Sequence, residues 1–305
     1  MKLVTFGLYI ACIFGFGQIA AAQTPTPSPA PTPLQQSRAA VTTDQRTGGF
    51  GNPGFIRDNM ELRQRLLHIV VAPFYRKPTK KELSMLATDY DLKQKFSAFL
   101  NREDTGMFKL TVDVGCAENV NLVAASEKCL NWTMPGAGNS YSFRLNSYRL
   151  RRLADLTFSK KHFVMTGVLA HGIMVNIGDV ALENINLQTN GMKFLNEFQP
   201  AVDFESAKTI DGKLIEGIER DGFLYCRGLV ALENTTYVLR SIAYNGKVMR
   251  AVRGITYNEL EFDKRKDITV AFRVVRSHGD GSLTILWKEL SIKDSPKIKR
   301  NKDRQ

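Results

Sequence analysis

The sequence predicts an α+β fold, in which an N-terminal pair of helices precedes a mostly antiparallel β-sheet region with one further helix. Apolar residues recur at helical spacing mainly in the first part of the folded chain, and later segments alternate apolar with polar residues. Helices and strands do not alternate regularly, as a doubly wound parallel sheet would require. The 305 residues are 43% apolar and 24% charged, which is typical of a globular protein and excludes a wholly disordered or collagen-like chain.

Two helical regions are expected first. Residues 56–71 are rich in strong helix formers, and Pro73 is expected to end that helix. The second region starts at Thr79, because Thr79 and Glu82 have the spacing of a capping box. It extends to Leu100, with a break expected at residues 88–89.

Alternating segments then predict strands and hairpins. Residues 108–114 read as a strand, residues 156–159 and 163–166 as a hairpin, and residues 168–177 as an apolar strand. Asn245-Gly246 is the strongest short hairpin signal and predicts pairing of 237–244 with 247–253. Residues 268–275 and 283–287 predict a last hairpin, and residues 203–219 the additional helix.

The N-terminus has the layout of a secretory signal peptide. Lys2 precedes the uncharged apolar run Leu3–Ile19, and Ala20–Ala22 form a small-residue cleavage site. The alternatives are a membrane anchor, for which the run is short and interrupted by glycines, and lipoprotein processing at Cys12. We expect cleavage after Ala22, secretion or periplasmic location, and no transmembrane segment after cleavage.

The rest of the chain divides by composition. Residues 23–54 predict a Pro- and Gly-rich disordered linker, since five of the eleven prolines lie between Gln23 and Pro33. Residues 55–291 form the expected globular domain, with a possible subdivision near 198–203. Residues 292–305 are expected to be a basic disordered tail.

Three cysteines remain after signal cleavage. Cys116 and Cys129 are close in sequence within a turn-rich connection, and export to an oxidising compartment favours a disulfide between them. A zinc site would need further ligands, and no histidine lies near either cysteine. Cys226 lies in the apolar run 223–226 and is expected to be a buried thiol.

The formal charge of +12 concentrates in two stretches. Residues 144–161 hold six basic residues against one acidic residue, and residues 293–305 hold six against two. The first stretch is interleaved with aromatic residues, a combination that suits phosphate-bearing surfaces, whereas a wet strand face is the structural alternative. The candidate anion-binding residues are Arg144, Tyr148, Arg149 and Arg151.

No high-specificity catalytic motif is present. The chain lacks G-x-S-x-G and a Walker loop, and the four histidines have no metal-ligand spacing. The sequence therefore predicts no cofactor and no metal site. The leading hypothesis is an exported non-catalytic domain that binds an anionic envelope or extracellular component. The alternative is an exported hydrolase whose site is assembled only by the fold, and export disfavours a nucleic-acid partner.

Overall fold

The computed structural model describes residues 53–112, 123–124, 133–134 and 138–299, and these residues have the predicted α+β architecture. The expected signal peptide, almost all of the linker, and both Cys116 and Cys129 lie outside the described residues. No helix in the described part of the chain is long and apolar enough to span a bilayer.

The N-terminal helical run continues past the proline that was expected to end it. Helix α1 (Pro53–Leu66) leads into a π-helical turn, Leu67–Val71, and then into α2 (Ala72–Tyr75). Pro73 falls in the first turn of α2, where a helix has no internal acceptor for the backbone N–H that proline lacks. The prediction of a stop at Pro73 was therefore wrong, because the π-helical turn lets the chain enter a new helical segment there.

The second helical region is divided as expected. It comprises α3 (Lys80–Met85), α4 (Tyr90–Lys95) and α5 (Ser97–Leu100), with the interruption at 86–89. The capping box is confirmed, because Thr79 Oγ1 accepts the Glu82 N–H at 3.2 Å and Glu82 Oε2 accepts the Thr79 N–H at 2.7 Å. Arg76 adds an ion pair of 2.6 Å to the Glu82 carboxylate and fixes the approach to α3.

The remaining chain is dominated by antiparallel strands. The first eight described strands are β1 (Thr105–Leu110), β2 (Val123–Ala124), β3 (Thr133–Met134), β4 (Ser140–Ser142), β5 (Ser147–Tyr148), β6 (Leu156–Ser159), β7 (His162–Val164) and β8 (Ala170–Gly178). Two helices follow, α6 (Met192–Glu197) and α7 (Phe204–Glu216). The last eight strands are β9 (Ile218–Arg220), β10 (Phe223–Cys226), β11 (Gly228–Val230), β12 (Thr236–Ala243), β13 (Met249–Val252), β14 (Ile255–Asn258), β15 (Lys266–Ser277) and β16 (Leu283–Asp294). Helix α7 was expected, whereas α6 was not.

A seven-stranded antiparallel sheet in the order β1-β16-β15-β12-β8-β10-β9 is the centre of the fold. One face packs on the five-stranded sheet β11-β7-β6-β4-β5 through an aromatic core that includes Phe143, Phe163 and Phe272. The other face packs on helices α6 and α7 through residues such as Leu195 and Leu214. Strands that precede residue 198 and strands that follow residue 203 belong to this one sheet. The pairing of the strands therefore does not separate two domains at residues 198–203.

Two of the three hairpin predictions are confirmed, and one was wrong. Strands β15 and β16 form the expected last hairpin. Strands β6 and β7 form the expected hairpin, with positive φ angles at Lys160 and Lys161. The Asn245-Gly246 hairpin was wrong, since β12 pairs with β8 and β15, and β13 pairs with β14. The Asn245 N–H instead donates to Pro296 at 2.9 Å, so tertiary contacts carry the chain away from β12 at this point.

The C-terminal segment is ordered beyond the expected end of the domain. Strand β16 continues to Asp294, and bridges join Asn245 to Lys297 and Asp203 to Lys299. Ile298 is partly buried against the core beneath α6 and α7. The boundary of the proposed tail was therefore placed too early, because Ile298 ties residues 295–299 to the domain.

Candidate functional site

Arg144 is in the interior and does not belong to a solvent-facing anion site. Its side chain is 0% exposed and forms ion pairs with Asp155 at 2.8 Å and Asp263 at 2.7 Å. Burial opposes its charge, but the two carboxylates outweigh that effect and raise the pKa of Arg144. This corrects the sequence hypothesis, because the guanidinium is already neutralised by internal partners.

Two other candidates are also used by the fold. Tyr148 is buried, and its hydroxyl donates to the Lys109 carbonyl at 2.6 Å. Arg149 is buried and donates to the Tyr75 carbonyl, and burial lowers its pKa. Neither side chain is available to an external anion, so both assignments were wrong for the same reason.

Arg151 is the one candidate of the four with substantial exposure. It lies in the short 3₁₀ segment Arg151–Leu153, is half-buried and already has an interaction partner. The four residues therefore do not form a shared basic face.

The charged turn at residues 263–267 belongs to the same buried network. The Asp263 carboxylate binds both Arg144 and Arg265, and Arg265 donates through Nε to the Tyr244 carbonyl at 3.0 Å. The ion pairs of this turn join the five-stranded sheet to the seven-stranded sheet, so their role is structural.

A second buried carboxylate, Glu259, lies under the β13–β14 hairpin. Its side chain is 0% exposed and receives Arg152 at 3.0 Å and Arg250 at 3.2 Å. The Tyr75 hydroxyl also donates to Glu259 Oε1 at 3.2 Å. Glu261, by contrast, is exposed, so the two carboxylates do not form a paired acid/base site.

The hairpin cleft lies between α1 and the β13–β14 hairpin and has a volume of about 510 Å³. It contains one imidazole, His68, and one carboxylate, Glu261, with the hydroxyl-bearing Thr256 nearby on its wall. Arg63 closes one side by donating to the Thr256 carbonyl at 2.9 Å. This cleft therefore brings together groups that acid/base chemistry uses.

The C-terminal lysines, defined as Lys293, Lys297 and Lys299, lie along the segment that follows β15. All three are exposed, and Lys297 and Lys299 flank the inward-facing Ile298. Within the described chain, no ion pair involves any of the three, whereas the neighbouring Asp294 pairs with Lys266 at 2.7 Å. Unlike the buried Arg144 and Arg149, these cations remain accessible to a partner.

A third region, the α6 cleft, lies between α6, the loop that precedes it and the β9–β10 turn. Its volume is about 590 Å³, and Phe223 and the buried Tyr225 contribute aromatic surface. The Tyr225 hydroxyl donates to the Gly191 carbonyl at 2.9 Å and connects the strand to the start of α6. The polar side chains lining the cleft are Gln188, Thr189, Asn190, Lys193, Asn196, Glu197 and Asp221.

His171 is an interior histidine whose two ring nitrogens both have hydrogen-bond partners. Its Nδ1 is 2.9 Å from the Tyr244 hydroxyl, and its Nε2 is 2.9 Å from the Ala207 carbonyl. Burial lowers the pKa of His171. With both nitrogens used, the imidazole serves to join β8 to α7.

Cys226 is a free and buried thiol, as expected. Its Sγ donates to the Gly228 carbonyl at 3.0 Å, and burial raises its pKa. The effect of burial outweighs the opposing effect of the Gly228 backbone, so the thiol stays protonated and unreactive. Among the described residues, no three His, Cys, Asp or Glu side chains are arranged to hold a metal ion.

Comparison with protein-family models, curated proteins and solved structures finds no match to this chain. The functional argument therefore depends on the geometry of the site residues themselves. Sequence reasoning missed the α6 cleft, although two local signals mark it. These are the polar run Gln188–Gly191 and the Asp221-Gly222 turn, a dipeptide typical of tight hairpins.

Proposed function

We propose that this chain is an exported, non-catalytic domain that binds an anionic envelope or extracellular polymer through the C-terminal lysines. The observation that supports the proposal is that Lys293, Lys297 and Lys299 are exposed on a segment attached to the fold and have no ion pair with any described residue. The export part of the proposal rests on the signal-peptide layout of residues 1–22.

The attachment of the segment favours binding over a merely solubilising role. The Lys299 N–H donates to the Val202 carbonyl at 2.9 Å, and the Asn245 side chain donates to the Ser295 carbonyl at 3.1 Å. Ile298 fixes the segment from below by packing against the core. Lysines held on an ordered backbone lose less conformational entropy on binding than lysines on a free chain.

The charge distribution also favours an anionic partner. Arg144 and Arg152 of the other basic stretch are paired with carboxylates of the fold, so they contribute little external field. The sequence continues from Lys299 with Arg300, Lys302 and Arg304 against Asp303 alone. Attraction between exposed charges is screened over about 8 Å at physiological ionic strength, so binding should weaken as salt rises.

The experiment is a titration of the mature chain with dextran sulfate at two salt concentrations. Replacement of Lys293, Lys297 and Lys299 by Gln should weaken binding at least tenfold at low salt and reduce its salt dependence. The matched control replaces Lys80, Lys81 and Lys93, which are also exposed, by Gln. Equal losses in both variants would indicate a general charge effect and would reject the C-terminal site.

A second candidate function is that of an exported hydrolase acting at the hairpin cleft. It is favoured by the presence of His68 and Glu261 in one cleft, where an imidazole and a carboxylate can act as base and acid. The test is an assay of the mature chain on aryl ester, phosphate and glycoside substrates. Activity abolished by His68→Ala and retained by His162→Ala, a turn histidine outside the cleft, would support this alternative.

A further inference from the structure

We infer that the α6 cleft is a binding site for an uncharged oligosaccharide, distinct from the polyanion site proposed above. Its volume of about 590 Å³ is in the range of small-molecule sites. The inference rests on the unused polar groups, the aromatic surface and the charge of this cleft.

The backbone of the loop before α6 is held by three hydrogen bonds from or to side chains. Asn186 Oδ1 accepts the Gln188 N–H at 2.8 Å, and the Thr189 hydroxyl accepts the Asn186 N–H at 2.9 Å. Asn196 then donates to the Leu187 carbonyl at 2.7 Å and holds the loop against α6. The backbone that carries the polar groups of the cleft is therefore fixed before any ligand arrives.

Several of these polar groups have no hydrogen-bond partner in the part of the chain that the structure describes. Among the described residues, no hydrogen bond uses the exposed side chains of Gln188, Asn190, Lys193, Glu197 and Asp221. Together they offer amide donors and acceptors, carboxylate acceptors and an ammonium donor. Sugar hydroxyls can donate and accept, so this mixed set matches them in both directions.

The hairpin turn opposite the loop completes the cleft. Asp221 and Gly222 have φ angles of 53° and 79°, and this tight turn places Asp221 beside the start of β10. Phe223, the next residue, is half-buried and presents part of its ring to the cleft. Gly191 makes this packing possible, because a Cβ there would come within 3.2 Å of the Phe223 ring.

Local charge separates this site from the anion site. The α6 cleft holds one cation, Lys193, against the carboxylates of Glu197 and Asp221, so a polyanion would be repelled. The two sites also lie at opposite ends of the large sheet. The β9–β10 turn lies beyond the C-terminal end of β8, because Tyr225 of β10 pairs with Val175 of β8. Lys297 bridges Asn245 beyond the opposite end of β8, where Ala243 of β12 pairs with Ala170.

The experiment titrates the mature chain with soluble hexamers of glucose and of N-acetylglucosamine by calorimetry. At least one hexamer should bind the unmodified chain. Asp221→Asn and Asn190→Ala should each weaken that binding about tenfold, the loss expected when a ligand hydrogen bond is removed. Asparagine tolerates the positive φ at position 221, so the first variant should fold normally.

The control variant is Gln199→Ala, which changes an exposed amide just outside the cleft and should bind the hexamer unchanged. The variant lacking the three C-terminal lysines should also bind it unchanged, which separates this inference from the proposed polyanion binding. The inference is overturned if no hexamer binds at millimolar concentration. It is equally overturned if folded Asp221→Asn and Asn190→Ala both bind as tightly as the unmodified chain.

Discussion

Arg144 and Asp263 form an ion pair of 2.7 Å between side chains that are both 0% exposed, although 119 residues separate them in the sequence. Arg144 lies just after β4 of the five-stranded sheet, and Asp263 lies just before β15 of the seven-stranded sheet. The pair therefore joins the two sheets by a charge contact in the interior. Such a contact tolerates the loss of one partner poorly, because the other charge stays buried and uncompensated.

Asp263→Asn should lower the free energy of unfolding by about 3 kcal/mol or more, in line with the loss of one member of a buried pair. Urea unfolding followed by circular dichroism measures this change. The control is Asp294→Asn, which breaks an ion pair of the same 2.7 Å length whose carboxylate is exposed. That variant should have nearly unchanged stability, and similar losses in the two would contradict the prediction.

Gly172→Ala should be destabilising because the added methyl has no room. Its Cβ would lie 2.2 Å from Met165 Cγ and 2.4 Å from Met165 Cβ, so strand β8 or its neighbour must move. Overpacking of this kind costs about 1–3 kcal/mol. Thermal unfolding of the variant should show the loss, and an unchanged midpoint would contradict this packing.

Gly212→Ala should stabilise the domain, in contrast to Gly172→Ala. Gly212 lies in α7 and is exposed, and a methyl group added there would meet no atom within 4 Å. Alanine has the higher helix propensity, so the substitution should raise the free energy of unfolding by about 0.5–1 kcal/mol. A decrease measured by urea unfolding would show that α7 is not helical at this position.

Stability should decrease as the pH falls below about 6.5, in part because of His171. Burial lowers the pKa of His171 in the folded state, with Arg227 adding to this effect and the Ala207 carbonyl and Asp211 opposing it. The unfolded chain then binds the proton more readily than the folded chain does. Protonation of His171 therefore favours unfolding at pH values below the pKa that histidine has in the unfolded chain. Urea unfolding between pH 7.5 and pH 5.5 should show this slope, and His171→Gln should reduce it. An equal slope in the variant would assign the effect to other groups.

The Cys116–Cys129 disulfide remains a prediction from the sequence. Closure of a loop of this length should contribute about 3 kcal/mol to stability, and Cys116→Ser with Cys129→Ser should remove it. Non-reducing peptide mapping of the mature chain should recover the two cysteines in one linked pair. Thiol titration in denaturant should then detect only Cys226, and three reactive thiols would contradict the pairing.

Short sequence patterns correctly predicted those elements whose stabilising contacts lie within a few residues of each other. The Thr79–Glu82 capping box is confirmed because both of its hydrogen bonds lie within one helical turn. The hairpin prediction at Asn245-Gly246 was wrong because the Asn245 N–H donates to the carbonyl of Pro296. Pro296 is too far away in the sequence for a local pattern to reveal this contact. The competing Arg253-Gly254 turn, with φ angles of 49° and 79°, forms the hairpin between β13 and β14 instead.

The candidate site was harder to predict because charge in a sequence does not reveal its partners. Arg144 and Arg149 lie in a strongly basic stretch, yet the fold supplies acceptors for them from residues far away in sequence. The exposed lysines Lys293, Lys297 and Lys299 are instead in the stretch interpreted as a tail. Alternation could have indicated this, since Ile298 between Lys297 and Lys299 has the pattern of a strand with one buried face.

The pairing of β1 with β16 determines when the domain can fold. Residues 105–110 form one edge of the large sheet only after residues 283–294 have been synthesised, because β16 is the strand that holds them. Contacts between such distant segments make folding slow. The growing chain therefore leaves the ribosome with this sheet open, which is the state in which a polypeptide can be threaded across a membrane if the proposed signal peptide directs it there.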